Sequence, residues 1–208
     1  MDAMQFFRQS SGNWRSQRTT HHLAFRRSEI GDSAIYVETL STEHPKIAEI
    51  CAMHEADPNE AIGGAFVTWQ SSMAWDQEKE NHVGETIFVL IPTDADRRQG
   101  KLLRERGYAE ITPIVGEYHL DEENGLVLIT DYETTNSYER FWFVNEDVRL
   151  RASTVKRFGG FSTATFCIET KETQAEAEET SATQVGNKLK PVIDPNIKAD
   201  LGYSILGW

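Results

Sequence analysis

The sequence predicts an all-β protein, an antiparallel up-and-down barrel of about ten strands with a short N-terminal helix and one helix between strands 2 and 3. Three observations lead to this prediction. Apolar and polar residues alternate with a period of two along most of the chain, short turns separate the alternating segments, and strands and helices do not alternate in βαβ fashion. A sandwich of two sheets is the alternative architecture.

The first elements are a helix and a hairpin. Residues 3–10 can form a short amphipathic helix, which Gly12 ends. Residues 13–28 are polar, basic and rich in threonine, and we interpret them as a long first strand. A turn at residues 31–32 is expected to lead into the second strand, residues 33–40, in which apolar and polar side chains alternate.

A second helix is predicted over residues 45–54. Pro45 suits its first turn, where the missing N–H has no partner inside the helix, and the isoleucines fall on one face. Residues 57–59, Asp-Pro-Asn, stop it. By analogy with fatty-acid-binding relatives of small ligand-binding barrels, we expect this helix to act as a lid over the barrel mouth.

The rest of the barrel is predicted from alternation and turn residues. One hairpin has Asn124-Gly125 in its turn, where a positive φ is needed. The predicted strands cover residues 63–75, 84–92, 101–106, 110–120, 126–133, 138–144, 148–156 and 158–170.

Composition divides the chain into a barrel domain, residues 1–170, and an acidic linker with a C-terminal tail, residues 171–208. The net charge of −12 argues against nucleic acid and anionic membranes as partners, since both attract cationic surfaces. No apolar run is long enough for a membrane span, and the N-terminus lacks the features of a signal peptide, so a cytosolic protein is expected. Two cysteines support neither a disulfide framework nor a metal site, and no cofactor is expected.

Candidate binding residues lie in two late strands. Arg149, Arg151 and Ser153 alternate and therefore share a face, and two inward guanidinium groups would form a receptor for paired carboxylates. The alternatives are that the arginines face solvent or that one stacks on Trp14. Glu139 would be a buried carboxylate able to hold or donate a proton if it points inward, and a surface ion-pair partner if it does not. Alternation alone does not choose the face.

Further candidates are Arg18 and His21, which an unbroken strand would place on opposite faces, so that only one would reach the interior unless a bulge intervenes. His21 has the pKa range for proton transfer near neutrality. Trp69 and Trp75 could stack on a conjugated ligand or belong to the core. Cys51, on the apolar face of the second helix, is interpreted as an inert buried thiol.

Several segments together resemble the S-type phycobiliprotein bilin lyases, which attach linear tetrapyrroles to antenna proteins of cyanobacteria and certain algae. The glycine two residues before Trp14 is also typical of lipocalin-like barrels. The segments that carry the resemblance are Phe6-Phe7, Ser11-Gly12-Asn13-Trp14, Ser16-Gln17-Arg18, His21-His22-Leu23-Ala24, Trp69 with Met73 and Trp75, Gly100-Lys101-Leu102-Leu103-Arg104 with Gly107-Tyr108-Ala109-Glu110, Glu139-Arg140-Phe141-Trp142-Phe143, and Leu150-Arg151.

The resemblance covers about residues 4–168 and implies a lipocalin-like barrel, in many members a homodimer, that binds a bilin noncovalently. It implies an enzyme of the cyanobacterial cytosol or plastid stroma that delivers a bilin to a cysteine of a phycobiliprotein, at a phycocyanin or allophycocyanin β-type site. Phycocyanobilin is the preferred substrate, and phycoerythrobilin is the second candidate. The acceptor's thiolate would add to the ethylidene group of the bilin and form a thioether. A carrier of a bilin or fatty acid without transfer activity is the alternative.

The resemblance also implies roles for individual residues. Arg149 and Arg151 would hold the propionates and Glu139 would lie near the pyrroles. The remaining residues carried over by the resemblance are Arg18, His21, Trp69 and Trp75. The tail beyond about residue 171 has no counterpart in the resemblance.

Overall fold

The structure, a computed structural model, describes residues 1–73, 82–104, 114–131, 135–157 and 160–173. In this part of the chain neither α-helix is long or apolar enough to cross a membrane. The elements are, in order, α1 (Ala3–Gln9), β1 (Gly12–His22), a 3-10 turn (Leu23–Phe25), β2 (Arg27–Leu40), α2 (Pro45–Met53), a second 3-10 turn (Pro58–Glu60), β3 (Gly63–Met73), β4 (His82–Pro92), β5 (Gln99–Arg104), β6 (Ile114–Leu120), β7 (Leu126–Asp131), β8 (Thr135–Phe143), β9 (Val148–Arg157) and β10 (Phe161–Glu172).

The strands form one closed antiparallel barrel in which successive strands are neighbours. Strand β1 also pairs with β10, from Asn13 opposite Glu172 to His22 opposite Thr163, and this ladder closes the barrel. The predicted up-and-down barrel is therefore confirmed, and the sandwich is excluded because a sandwich consists of two separate sheets.

The turn predicted at residues 31–32 is wrong. Asp32 pairs with Gln17 in the middle of the β1–β2 ladder, and the chain turns instead at Leu23–Phe25, where Arg26 adopts a φ of 52°. A glycine in a sequence does not by itself indicate a turn, because glycine also occurs at crowded positions inside strands. Gly31 is at such a position, since it is buried opposite Arg18.

The prediction that the second helix is a lid is also wrong. The apolar face of α2, with Ile47, Ile50 and Cys51, is fully buried against the outer wall of the barrel. That wall is apolar at Val89 and Leu103, on strands β4 and β5, whereas a strand facing water would carry polar residues there. Helix α2 therefore covers the side of the barrel and leaves the interior to other elements.

Helix α1 closes one end of the barrel. Its N-terminus is fixed by a capping box, in which the Asp2 carboxylate accepts from the Gln5 backbone at 2.7 Å and the Gln5 side chain accepts from the Asp2 backbone at 2.8 Å. The buried Phe6 packs on Phe143 at the end of β8, with ring centroids 5.0 Å apart. The helix therefore packs against the hydrophobic core at this end of the barrel.

Candidate functional site in the barrel interior

Strand β9 contributes polar side chains to the interior. Arg149, Arg151 and Ser153 alternate along the strand and are all buried, with exposed fractions of 5, 1 and 7%. They share the inner face of the barrel wall, as the two-residue spacing allows. The interior is thus strongly cationic along this strand.

Arg149 is held by a carboxylate and two aromatic rings. Its Nε and Nη2 both lie 2.6 Å from Oε2 of Glu169 on β10. The guanidinium carbon lies 4.8 Å from the ring centroid of Trp14 and 5.4 Å from that of Phe141. Stacking on Trp14, an alternative left open by the sequence, is therefore what occurs, and it occurs inside the barrel.

Arg151 lies at the centre of the charged cluster. Its Nη2 and Nε donate to the Cys167 sulfur at 3.1 and 3.3 Å, its Nε lies 3.6 Å from Glu169 Oε1, and its Nη1 lies 3.8 Å from Glu139 Oε1. Burial acts to lower the pKa of Arg151, but the surrounding thiol and carboxylates outweigh it and raise the pKa. Arg151 therefore stays cationic although it is buried.

Cys167 lies between two arginines on neighbouring strands. It is opposite Arg151 on β9 and opposite Arg18 on β1. Burial raises the pKa of this thiol, and the two arginines only partly oppose the shift. The neutral thiol accordingly predominates near neutral pH, so Cys167 is a poor nucleophile.

Glu139 faces the interior from β8 and is 1% exposed. It lies opposite Ser153 in the β8–β9 ladder and within ion-pair distance of Arg151. The inward orientation that a proton-holding carboxylate requires is therefore present, and the solvent-exposed alternative does not apply.

Positive charge exceeds negative charge among the buried residues. In the described part of the chain, the buried charged side chains are four arginines and two glutamates, namely Arg18, Arg104, Arg149, Arg151, Glu139 and Glu169. Although the net charge of the protein is −12, buried arginines outnumber buried carboxylates by two among the residues that the structure describes. An anionic ligand with two carboxylates would complement this excess.

An apolar cavity adjoins the charged cluster. It contains about 370 Å³ of space, including the part open to solvent, and Arg149 is the one charged side chain among its described lining residues. Phe6 and Phe7 of α1 contribute to it together with side chains of six strands.

Trp69 is buried on the inner face of β3, and its indole lies against Gly84 of β4. A Cβ atom at Gly84 would be 2.2 Å from Cζ2 of that indole, so only glycine leaves room for the ring. Trp69 therefore faces the interior and belongs to the hydrophobic core, one of the two alternatives that the sequence left open. Trp75 lies outside the described residues.

Strand β1 has no bulge between Arg18 and His21, so the two side chains point to opposite faces. Arg18 is buried in the interior, whereas His21 is exposed on the outer face. The prediction that His21 acts on a ligand inside the barrel therefore does not fit its position. The neighbouring His22 forms an ion-pair contact with Glu29 at 2.9 Å.

The sequence analysis missed three buried polar or charged residues of the barrel, namely Arg104 on β5 and two members of the cluster, Cys167 and Glu169. A signal for two of them was present, because Cys167 and Glu169 are two residues apart on a predicted strand that follows the arginine strand. Placing them opposite Arg151 and Arg149 requires the β9–β10 register, which alternation does not supply.

Comparisons with known proteins agree on one family. The model of the CpeS-like protein family matches residues 2–172. The chain is 67% identical over 169 residues to "Chromophore lyase CpcS/CpeS 2" of Synechocystis, covering 81% of this chain and 88% of the relative. It is 58% identical over 207 residues to "Phycocyanobilin lyase subunit CpcS" of Picosynechococcus, covering 100% of this chain and 98% of the relative.

A solved structure, the S-type phycobiliprotein lyase CPES of Guillardia theta, is similar with a TM-score of 0.74 and 32% identity, over 84% of this chain and 94% of that chain. The alignment to the Picosynechococcus relative also includes the tail beyond residue 171. The family model ends at residue 172, so the tail lies outside the segment that the family shares, although it aligns with this relative.

Proposed function

The chain belongs to the CpeS-like family, and on this premise we propose that it is a lyase that binds phycocyanobilin in the barrel and attaches it to a cysteine of a phycobiliprotein subunit by a thioether bond. The observation that carries the proposal is the group of buried arginines beside an apolar cavity in the described part of the barrel. A linear tetrapyrrole has the matching chemistry, since it combines an apolar conjugated chain with two propionates.

We assign the propionates to the cationic row formed by Arg18 and Arg151 on either side of Cys167. Arg149, which the resemblance implies as a propionate ligand, is paired with Glu169, lines the cavity beside this row and is the third candidate for a propionate. Trp69 would stack on a pyrrole ring, and Ser153 would offer a hydrogen bond close to Glu139. Trp75 remains a candidate of the same kind.

In the proposed reaction, the acceptor's thiolate adds to the ethylidene group of the bound bilin. A carbon–sulfur bond forms, the carbon–carbon double bond of the ethylidene group is lost, and one proton is taken up at the ring carbon, so that no oxidant or cofactor is consumed. The protein contributes by orienting the bilin and by keeping a pyrrole nitrogen protonated beside Glu139. The bilin is thus the substrate.

The lyase's own thiols do not compete with the acceptor. Burial raises the pKa of Cys167 and, together with the charge of Asp57, that of Cys51. Cys51 moreover lies on the buried face of α2, outside the barrel interior. Because neither thiol is readily ionised near neutral pH, we expect the lyase to hold the bilin noncovalently.

The proposed partners are phycocyanin or allophycocyanin subunits and a second copy of the chain. Dimerisation is supported by three apolar side chains that are 41–46% exposed on β8 and β10, the two neighbours of β9: Tyr138, Phe166 and Ile168. A cyanobacterial cytosol is the proposed location, in line with the Synechocystis and Picosynechococcus relatives. Light scattering of the purified chain tests the homodimer.

The test mixes the purified protein with phycocyanobilin and an apo-phycobiliprotein β subunit. We expect red fluorescence and a zinc-stained band that survives denaturation, both dependent on the lyase and on the acceptor's cysteine. Arg151→Gln should weaken bilin binding, whereas the matched change Arg140→Gln, at an arginine paired with Asp121 outside the interior, should not. Pigment binding without transfer to any phycobiliprotein subunit would identify a carrier, and repeating the assay with phycoerythrobilin tests the choice of bilin.

A further inference from the structure

The connection between β1 and β2 exposes two large apolar side chains. Residues 21–27, which we name the hairpin tip, include Leu23 and Phe25, each 56% exposed. The tip lies at the end of the barrel opposite α1, because α1 leads directly into the start of β1 and the tip follows its end. Exposed apolar side chains grouped in one short turn are a common feature of protein interaction sites.

The hairpin tip is also cationic. Residues 3–28 contain five arginines and no aspartate or glutamate, although the chain has a net charge of −12. Arg26 and Arg27 are exposed directly after Phe25. The first acidic residue that follows, Glu29, is in contact with His22.

Strand β9 extends the positive charge along the same end of the barrel. Lys156 and Arg157, its last residues, are both exposed, and β9 is separated from β1 only by β10. Of the described residues at this end, Asp131 of β7 is an exposed carboxylate on the far side of β8. The apolar pair Leu23 and Phe25 therefore stands beside an arc of four exposed cations.

The position of this surface matters for transfer. Helix α1 occupies the other end of the barrel, with Phe6 packed on Phe143. A thiol that belongs to another protein must therefore approach a bilin held in the interior from the end that carries the tip. Electrostatic attraction at such a place speeds encounter and orients the partner.

We propose that the hairpin tip, with the cations at the end of β9, is the docking surface for the acceptor subunit. The occupant is a folded protein that presents an apolar pocket bordered by carboxylates close to its target cysteine. Leu23 and Phe25 fill the pocket, and Arg26, Arg27, Lys156 and Arg157 face the carboxylates. The inference rests on the proposed function and adds the surface by which the lyase recognises its partner.

The test uses two double variants of the full chain, Leu23→Ser with Phe25→Ser, and Arg26→Glu with Arg27→Glu. The matched control is Val115→Ser with Val144→Ser, at side chains that are 47 and 59% exposed elsewhere on the barrel. Bilin affinity is measured by absorbance titration without acceptor, binding of the apo-acceptor by calorimetry without bilin, and transfer as a function of acceptor concentration. Circular dichroism compares the folds.

Both tip variants should bind bilin as the unmodified chain does, and both should weaken acceptor binding by about tenfold or more, with a matching rise in KM for the acceptor. The charge-reversed variant should also lose the dependence of acceptor binding on salt that the unmodified chain shows. The control should behave as the unmodified chain.

Acceptor binding that survives in both tip variants, or that falls equally in the control, would overturn the inference. If the unmodified chain binds no apo-acceptor, the docking surface is also rejected. If the unmodified chain binds the acceptor through the tip but neither binds nor transfers bilin, the docking surface stands and the proposed lyase function fails.

Discussion

Replacing Glu169 by glutamine tests the electrostatic account of the barrel interior. The Glu169 side chain is fully buried and receives two contacts of 2.6 Å from Arg149, and its other oxygen lies 3.6 Å from Arg151. Removing one charge of a buried pair costs about 3–5 kcal/mol, because the remaining charge is left without compensation. The glutamine oxygen can still accept one hydrogen bond, so we expect a loss of about 3 kcal/mol in the free energy of unfolding.

The control is Glu123→Gln, the same chemical change at a comparable contact. Glu123 Oε2 lies 2.7 Å from Arg140 Nη2, but its side chain is 79% exposed. Solvent screening limits such pairs to less than about 1 kcal/mol. The assay is urea unfolding followed by tryptophan fluorescence, and thermal unfolding should show a drop of roughly 6–12 °C for Glu169→Gln. A loss for Glu169→Gln no larger than that for Glu123→Gln would refute the reasoning.

Three further predictions follow from local geometry. Gly84→Ala should displace the indole of Trp69, lower the free energy of unfolding by about 1–3 kcal/mol and shift the tryptophan emission; an unchanged spectrum and stability would contradict the close contact. At Asp121, burial acts to raise the pKa, but hydrogen bonds from Arg140 and the backbone outweigh it and lower the pKa. The ionised carboxylate therefore contributes stability above the unfolded-state pKa and loses it as the pH falls through the folded-state pKa. Asp121→Asn should lower the free energy of unfolding by about 1 kcal/mol at pH 7, and the difference from the unmodified chain should vanish in acid. Urea titrations at several pH values would measure this difference. Both cysteines should react with a thiol reagent only after unfolding, because burial raises the pKa of each; rapid labelling of the native chain would contradict this.

The barrel was predictable because side-chain alternation is a local property of a strand. The same property puts Arg149 and Arg151 on one face, and it separates Arg18 from His21 once β1 is known to lack a bulge. A glycine, by contrast, is compatible with both a turn and a crowded strand position. For that reason the sequence alone misplaced the first turn at Gly31.

The partners of the arginines were not predictable in the same way. Glu169 meets Arg149 because strands β9 and β10 pair in one register, and a shift by one residue would turn Glu169 outward. Register depends on the turn geometry and on the fit of the whole interior. The position of α2 was not predictable either. It depends on an apolar patch on the outer wall, formed by Val89 and Leu103 on strands that are distant from the helix in sequence.

The β1–β10 ladder has a consequence for how the chain folds during synthesis. Asn13 is paired with Glu172, so the edge of β1 that pairs with β10 stays uncovered until the last strand has been synthesised. Contacts of such high sequence separation slow folding, and an uncovered edge invites association with other chains. The open edge of β1 is composed mainly of arginine, threonine, serine, glutamine and histidine, with Trp14 as its one large apolar residue. The polar composition of the first strand therefore keeps an incomplete barrel from associating with other chains before the last strand is in place.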